Sequence, residues 1–142
     1  MKGATSRARE LPRVFVLDSE ALSLAVRGDR AMVQRLEQAW GSQVKIVASP
    51  MTLIEAFDSG DSRSEKRWDW TLSRVGVPSI DKDHARQAQR ILGEAGLHGQ
   101  KYAIDAVVAI VARQQTGQVT VLTSDTDDLG RLLPKHIAIQ KV

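Results

Sequence analysis

Four carboxylates stand beside apolar runs at widely separated points of the chain. Asp18 follows Val14-Phe15-Val16-Leu17, and Glu55 comes late in the stretch Ser49-Pro50-Met51-Thr52-Leu53-Ile54-Glu55. Asp105 interrupts Ala103-Ile104-Asp105-Ala106-Val107-Val108, and Asp125 follows Val119-Thr120-Val121-Leu122-Thr123-Ser124. An ionised carboxylate next to an apolar segment must raise its pKa or find a cation. One such acid is ordinary. Four of them, each at a strand end or in a following helix, point to one shared site. A set of carboxylate oxygens suits a hard divalent ion, Mg2+ or Mn2+, which relieves their mutual repulsion. The chemistry open to such a site is attack of an activated water on a phosphodiester, with one or two metals. The acidic segments hold no His or Lys, so no covalent intermediate is expected.

Each acid also has a local role to weigh. Asp18 can cap a helix, and so can Asp125 or its neighbour Ser124. Glu55 can be a surface helix former. Asp127 and Asp128 compete for a further ligand position beside Asp125. Asp105 is hardest to explain structurally. Asp is a poor residue in the middle of a helix, and this one shares a face with Ala109 and Ala112, small enough for close helix packing.

The elements that must position these acids follow from patterning. Strands are expected over Arg13–Leu17, Val44–Ala48, Val119–Leu122 and Ile137–Ile139, with a short strand or extended segment over Gly76–Ile80. Helices are expected over Ser19–Val26, Ala31–Trp40 (closed by Gly41), Ser49–Phe57, Glu65–Arg74, Asp81–Glu94, Gln100–Gln115 (closed by Gly117) and Asp125–Leu133. In the sixth of these, Ile104, Val107, Val108 and Val111 make one apolar stripe. The alternation reads as an α/β fold, a three-layer α/β/α domain with a mainly parallel central sheet. Ligands of such sheets sit beyond the carboxyl ends of the strands. Residues 1–12 read as a flexible basic leader and 13–142 as one domain.

Composition narrows the setting. With 142 residues, no Cys and no apolar run near bilayer length, the chain reads as a cytoplasmic protein without disulfides, thiolate metal sites or membrane partners. The net charge is +3, from 20 basic and 17 acidic side chains. If Asp18, Glu55, Asp105, Asp125 and Asp128 line one pocket, the remainder carries an excess of eight positive charges, which suits a polyanionic substrate. His84, His98 and His136 are scattered without metal-ligand spacing. Trp68 and Trp70 lie two apart on a helix and so point to different faces; an interaction surface fits them better than base stacking. Lys66, Arg67 and Arg74 read as a solvated charged face.

Taken together, the segments Phe15-Val16-Leu17-Asp18-Ser19, Ser49 to Ala56, Ala103 to Ala112 and Val121 to Leu129 resemble those of PIN domains. The likeness is greatest to the small VapC toxins of toxin–antitoxin pairs and covers about residues 13–141. The resemblance implies a Mg2+- or Mn2+-dependent ribonuclease in which Asp18, Glu55, Asp105 and Asp125 form the catalytic, metal-binding quartet. It makes Asp128 an auxiliary acid and Thr123 or Ser124 the accompanying hydroxyl, and it gives Thr52 a structural role. It further implies an RNA substrate, a homodimer, and a VapB-like antitoxin whose C-terminal arm covers the acidic pocket. Glu20, an extra acid after Ser19, departs from the family pattern, and Trp68 and Trp70 match no part of it.

Two other readings exist. A degenerate PIN fold would serve as a binding module, but the intact quartet argues against it. An Asp-phosphorylated α/β domain would use Asp18 as phospho-acceptor, yet the Asp18-Ser19-Glu20 sequence lacks the second Asp and the strand-end Lys such proteins need.

Overall fold

Four short strands carry the centre of the computed structural model, which describes residues 11–61 and 64–142. They are β1 (Arg13–Leu17), β2 (Lys45–Ala48), β3 (Gln118–Thr123) and β4 (Ala138–Lys141). Their order is β2-β1-β3-β4, and every pairing is parallel. The segment expected over Gly76–Ile80 is extended but joins the sheet only through a bridge between Val47 and Gly76. Pro78, two residues on, has no N–H to continue a ladder. The described residues form seven helices: α1 (Ser19–Val26), α2 (Arg30–Gly41), α3 (Pro50–Glu55), α4 (Ser64–Leu72), α5 (Lys82–Ala95), α6 (Gly99–Gln114) and α7 (Thr126–Leu132). The expected basic leader falls mostly outside the described residues.

Period-two alternation divides the core between the two faces of the sheet. Val14, Val16, Val47, Val119 and Val121 pack with α5, α6 and α7. Leu17, Ile46, Ala48 and Leu122 pack with α1 and α2. The expected stripe on α6 is too narrow. Ala106, Val108, Ala109, Ile110, Val111 and Ala112 are all buried there, whereas Ile104 and Val107 are half-buried. The helix contacts α3, α5, α7, β1 and β3, so its second half has hardly any solvent face. Small Ala side chains permit that approach, and they bring Asp105 on the same helix to the sheet.

Local signals set several boundaries. Ser49 caps α3, accepting from the Met51 amide at 3.0 Å, and Asp81 and His84 form a reciprocal capping box on α5. Gly41 lies inside α2, and the left-handed residue after it is Gln43, at φ 60°. Gly117 does not close α6. It stands at φ 102° before β3, where an added Cβ would lie 2.1 Å from the Pro12 carbonyl oxygen. That carbonyl accepts from the Gln118 amide at 2.7 Å, which ties Pro12 to the sheet. Connections leave β1 toward β2 and β3 toward β4 on opposite sides. The strand order therefore reverses between β1 and β3, and a crevice opens at their carboxyl ends.

Candidate metal centre

Asp18 sits at the head of this crevice. Its amide donates to Leu122 O at 3.1 Å, extending the β1–β3 ladder by one step. Its side chain is only 7% exposed, and both oxygens are engaged. Oδ1 accepts from the Ala21 amide at 3.1 Å, capping α1, and Oδ2 accepts a short hydrogen bond from the Thr123 hydroxyl. Burial raises the Asp18 pKa, the bonds from Thr123 and Ala21 act against that rise, and the charge of Glu55 adds to it. With both oxygens held, Asp18 is poorly disposed to act as a phospho-acceptor.

Thr123 is fully buried, and its Oγ1 also accepts from the Asp125 amide at 2.9 Å. One hydroxyl thus joins the ends of two strands. Ser124 is exposed and has no such position. Asp125 caps α7, accepting from the Asp128 amide at 3.1 Å. The capping roles of Asp18 and Asp125 are therefore real, and they are also what aims the side chains: a cap residue and the third helical residue share one face.

Asp105, Asp125 and Asp128 each offer a carboxylate oxygen, all within 4.8 Å of one another. Asp105 reaches this group from α6 and is half-buried. Its pKa is lifted to about 6, first by burial and then by the charges of Asp125, Asp128, Glu55 and Asp18. Asp128 is pushed up chiefly by a side-chain hydrogen bond to Asp125, with Arg131 and Lys101 as opposing charges. Glu55 is exposed at the end of α3. Glu55 and Asp18 lie outside the close trio and bear on Asp105 through their fields. Asp128, read from the sequence as auxiliary, is thus a full member of the close group. Its spacing of three from a helix-capping Asp125 is the signal that marks it.

None of the ion pairs among the described residues includes any of these five acids. Carboxylate oxygens in this array, with no ion pair to a cation among the described residues, fit a hard divalent ion. Glu20 points outward and pairs with Arg27 at 3.3 Å on the surface. Beside Glu55, an apolar hollow of about 290 Å³ is lined by Leu53, Ile54, Phe57 and Trp68. Ile54 is 70% and Phe57 60% exposed. Trp70 faces elsewhere, under the guanidinium of Arg74 at 4.1 Å. Arg67 of the expected solvated face is paired with Asp61.

No protein-family model and no curated protein matches the sequence. Solved structures do match. A chain of the VapBC2 complex from Rickettsia felis, bound to a DNA fragment from its promoter, is 14% identical, with a TM-score of 0.65 over 91% of this chain and 98% of that one. A chain of a toxin–antitoxin complex from Klebsiella pneumoniae is 22% identical, with a TM-score of 0.62 over 87% of this chain and 98% of that one. The likeness shows the fold, and it is the PIN-like α/β architecture expected from the sequence. No helix among the described residues is long and apolar enough to cross a membrane.

Proposed function

We propose that this chain is a metal-dependent endoribonuclease, the PIN-type toxin of a toxin–antitoxin pair, acting in the cytoplasm. One observation carries the reading. Asp105 is lifted to about 6 by burial and by four other carboxylates, in an array that forms no ion pair with a cation of the described chain. A fold retains such repulsion where a ligand offsets it, and perturbed acids in a crevice mark functional sites.

Asp105, Asp125 and Asp128 are the residues that would hold Mg2+ or Mn2+, with Asp18 and Glu55 supplying further negative charge. When bound, such an ion supplies Lewis acidity toward a phosphate oxygen and acidifies a water. The chain's own part is positional. Thr123 fixes the rotamer of Asp18 and the backbone of Asp125, and the first turn of α7 aims Asp125 and Asp128 together. Hydrolysis adds water across a P–O bond, so no side-chain nucleophile is needed. The basic excess over the rest of the chain supports RNA as the polyanion.

The partner reading rests on the same region. The two solved structures described above come from complexes named VapBC2 or toxin–antitoxin. Here the apolar hollow of Leu53, Ile54, Phe57 and Trp68 adjoins exposed Glu55 and Asp58, which suits an apolar and cationic arm of a VapB-like antitoxin. A homodimer belongs to the same reading.

The test is purified protein on end-labelled RNA, with Mg2+, with Mn2+ and with EDTA, beside Asp105→Asn. Cleavage is expected only with metal and should fall at least about 100-fold in the variant, as for loss of a principal electrostatic group. Equal cleavage by both proteins, or none under any metal, contradicts the proposal.

A further inference from the structure

The opposite end of β1 carries a pocket of the other charge. Arg13 opens the strand and Asp18 follows its last residue, so the two ends are roughly 17 Å apart. Beneath the second half of α2 lies a hollow of about 200 Å³, with Arg13, Phe15, Arg35, Gln38, Ser42 and Val44 in its walls. Its polar side chains are those of Arg13, Arg35, Gln38 and Ser42, and no carboxylate among the described residues lines it.

Among the described residues the two arginines lack acceptors. Neither takes part in an ion pair among the described residues. Arg35 Nη1 is buried without a hydrogen-bond partner. Arg13 stands over the Phe15 ring, 5.8 Å from its centroid. The carbonyls at the end of α2 accept from backbone amides, and none of them accepts from Arg35. Gln38 O accepts from the Ser42 amide at 3.0 Å, Ala39 O from the Val44 amide at 2.8 Å, and Trp40 O from the Gln43 amide at 3.3 Å. A buried guanidinium N–H calls for an acceptor, and two forks facing one hollow match a tetrahedral oxyanion.

We propose that this pocket is an oxyanion site that takes a phosphate group between Arg13 and Arg35, remote from the carboxylates and independent of the metal. Free phosphate and a phosphate of a nucleic-acid strand present the same chemistry to it.

The experiment follows backbone and Arg side-chain N–H signals of the full chain in EDTA. Inorganic phosphate or a short single-stranded RNA is added at constant ionic strength, with chloride as control. Phosphate is expected to shift Phe15, Ser42, Val44 and the Arg35 side chain. Arg35→Met should weaken that binding about tenfold, the loss of one charge-assisted hydrogen bond. Arg35→Lys, which keeps the charge and loses the fork, should fall between. Arg13→Gln is an independent second variant should Arg35→Met fold poorly. RNA shifting the same signals, reversed by phosphate, identifies a strand phosphate as the occupant. Shifts with inorganic phosphate alone identify the free ion; either supports the site. No shift at these positions, or one unchanged in both Arg35→Met and Arg13→Gln, overturns it.

Discussion

The two walls of the acidic crevice treat the same side chain in opposite ways. On the strand wall, Asp18 is nearly fully buried, but Ala21 and Thr123 donate to its two oxygens. On the helix wall, no hydrogen bond among the described residues reaches the Asp105 carboxylate, and four carboxylates act on it. The strand-wall acid is built into the fold, since it caps a helix and joins β1 to β3. The helix-wall acid is held against its own electrostatics. Removing the first should weaken the protein, and removing the second should strengthen it while abolishing what the site does.

The largest effect on stability is expected at the strand wall. Thr123→Val leaves Asp18 Oδ2 and the Asp125 amide without their partner, a loss of about 2 to 3 kcal/mol for buried polar groups. Urea denaturation at neutral pH measures it, and a change below about 0.5 kcal/mol would erase the distinction between the walls.

Asp105→Asn tests the other wall, and its effect depends on pH. The folded pKa of about 6 lies above the ordinary 3.8. The native state therefore holds the proton more tightly, and this contribution is complete below pH 3.8 and lost as pH rises through 6. Above 6, the metal-free protein bears the full repulsion. The shift corresponds to about 3 kcal/mol at face value, and screening at a half-exposed site reduces that to about 1 to 2 kcal/mol. Asp105→Asn should be more stable than the parent by that amount at pH 8 without metal, and no more stable near pH 3.5. A destabilised variant at pH 8 would place Asp105 among the structural acids.

The smallest effects sharpen the contrast by their absence. Ser124→Ala should change stability by less than about 0.5 kcal/mol, because that hydroxyl is exposed and Thr123 does the bonding. Glu20→Gln loses only a surface pair with Arg27, worth at most about 0.5 kcal/mol. Metal-dependent cleavage should be unchanged in both, and a loss in either would mean that the acidic site extends beyond the five carboxylates.

The strands were legible because their apolar runs are short, β-branched and bounded by turn residues, and Ser49-Pro50 marked its helix start to the residue. The segment at Gly76 was ambiguous in sequence because a single bridge to Val47 leaves little pattern. The burial of α6 was underestimated, since Ala106, Ala109 and Ala112 carry little hydrophobic signal although they are fully buried. Asp18, Glu55, Asp105 and Asp125 stood out by their apolar flanks, whereas Asp128 entered only as a competitor of Asp127 and through the family resemblance, and the grouping of the five was not legible. Which carboxylates approach within 4.8 Å depends on how α6 docks against α7, a tertiary fact. Thr123 and Ser124 were equivalent on paper; alternation along β3 decided between them. The Arg13–Arg35 pocket left no sequence trace, because two arginines 22 positions apart come to line one hollow only in the folded chain.

The central claim is that Asp105 is a metal ligand kept above its ordinary pKa by its neighbours. The direct measurement is the carboxyl carbon resonance of Asp105 followed through pH, first in EDTA and then with saturating Mg2+. A midpoint near 6 is expected without metal, and a shift well below the ordinary carboxylate value once a cation replaces the repulsion. A midpoint near 3.8 in EDTA, or one that Mg2+ leaves unmoved, would contradict it.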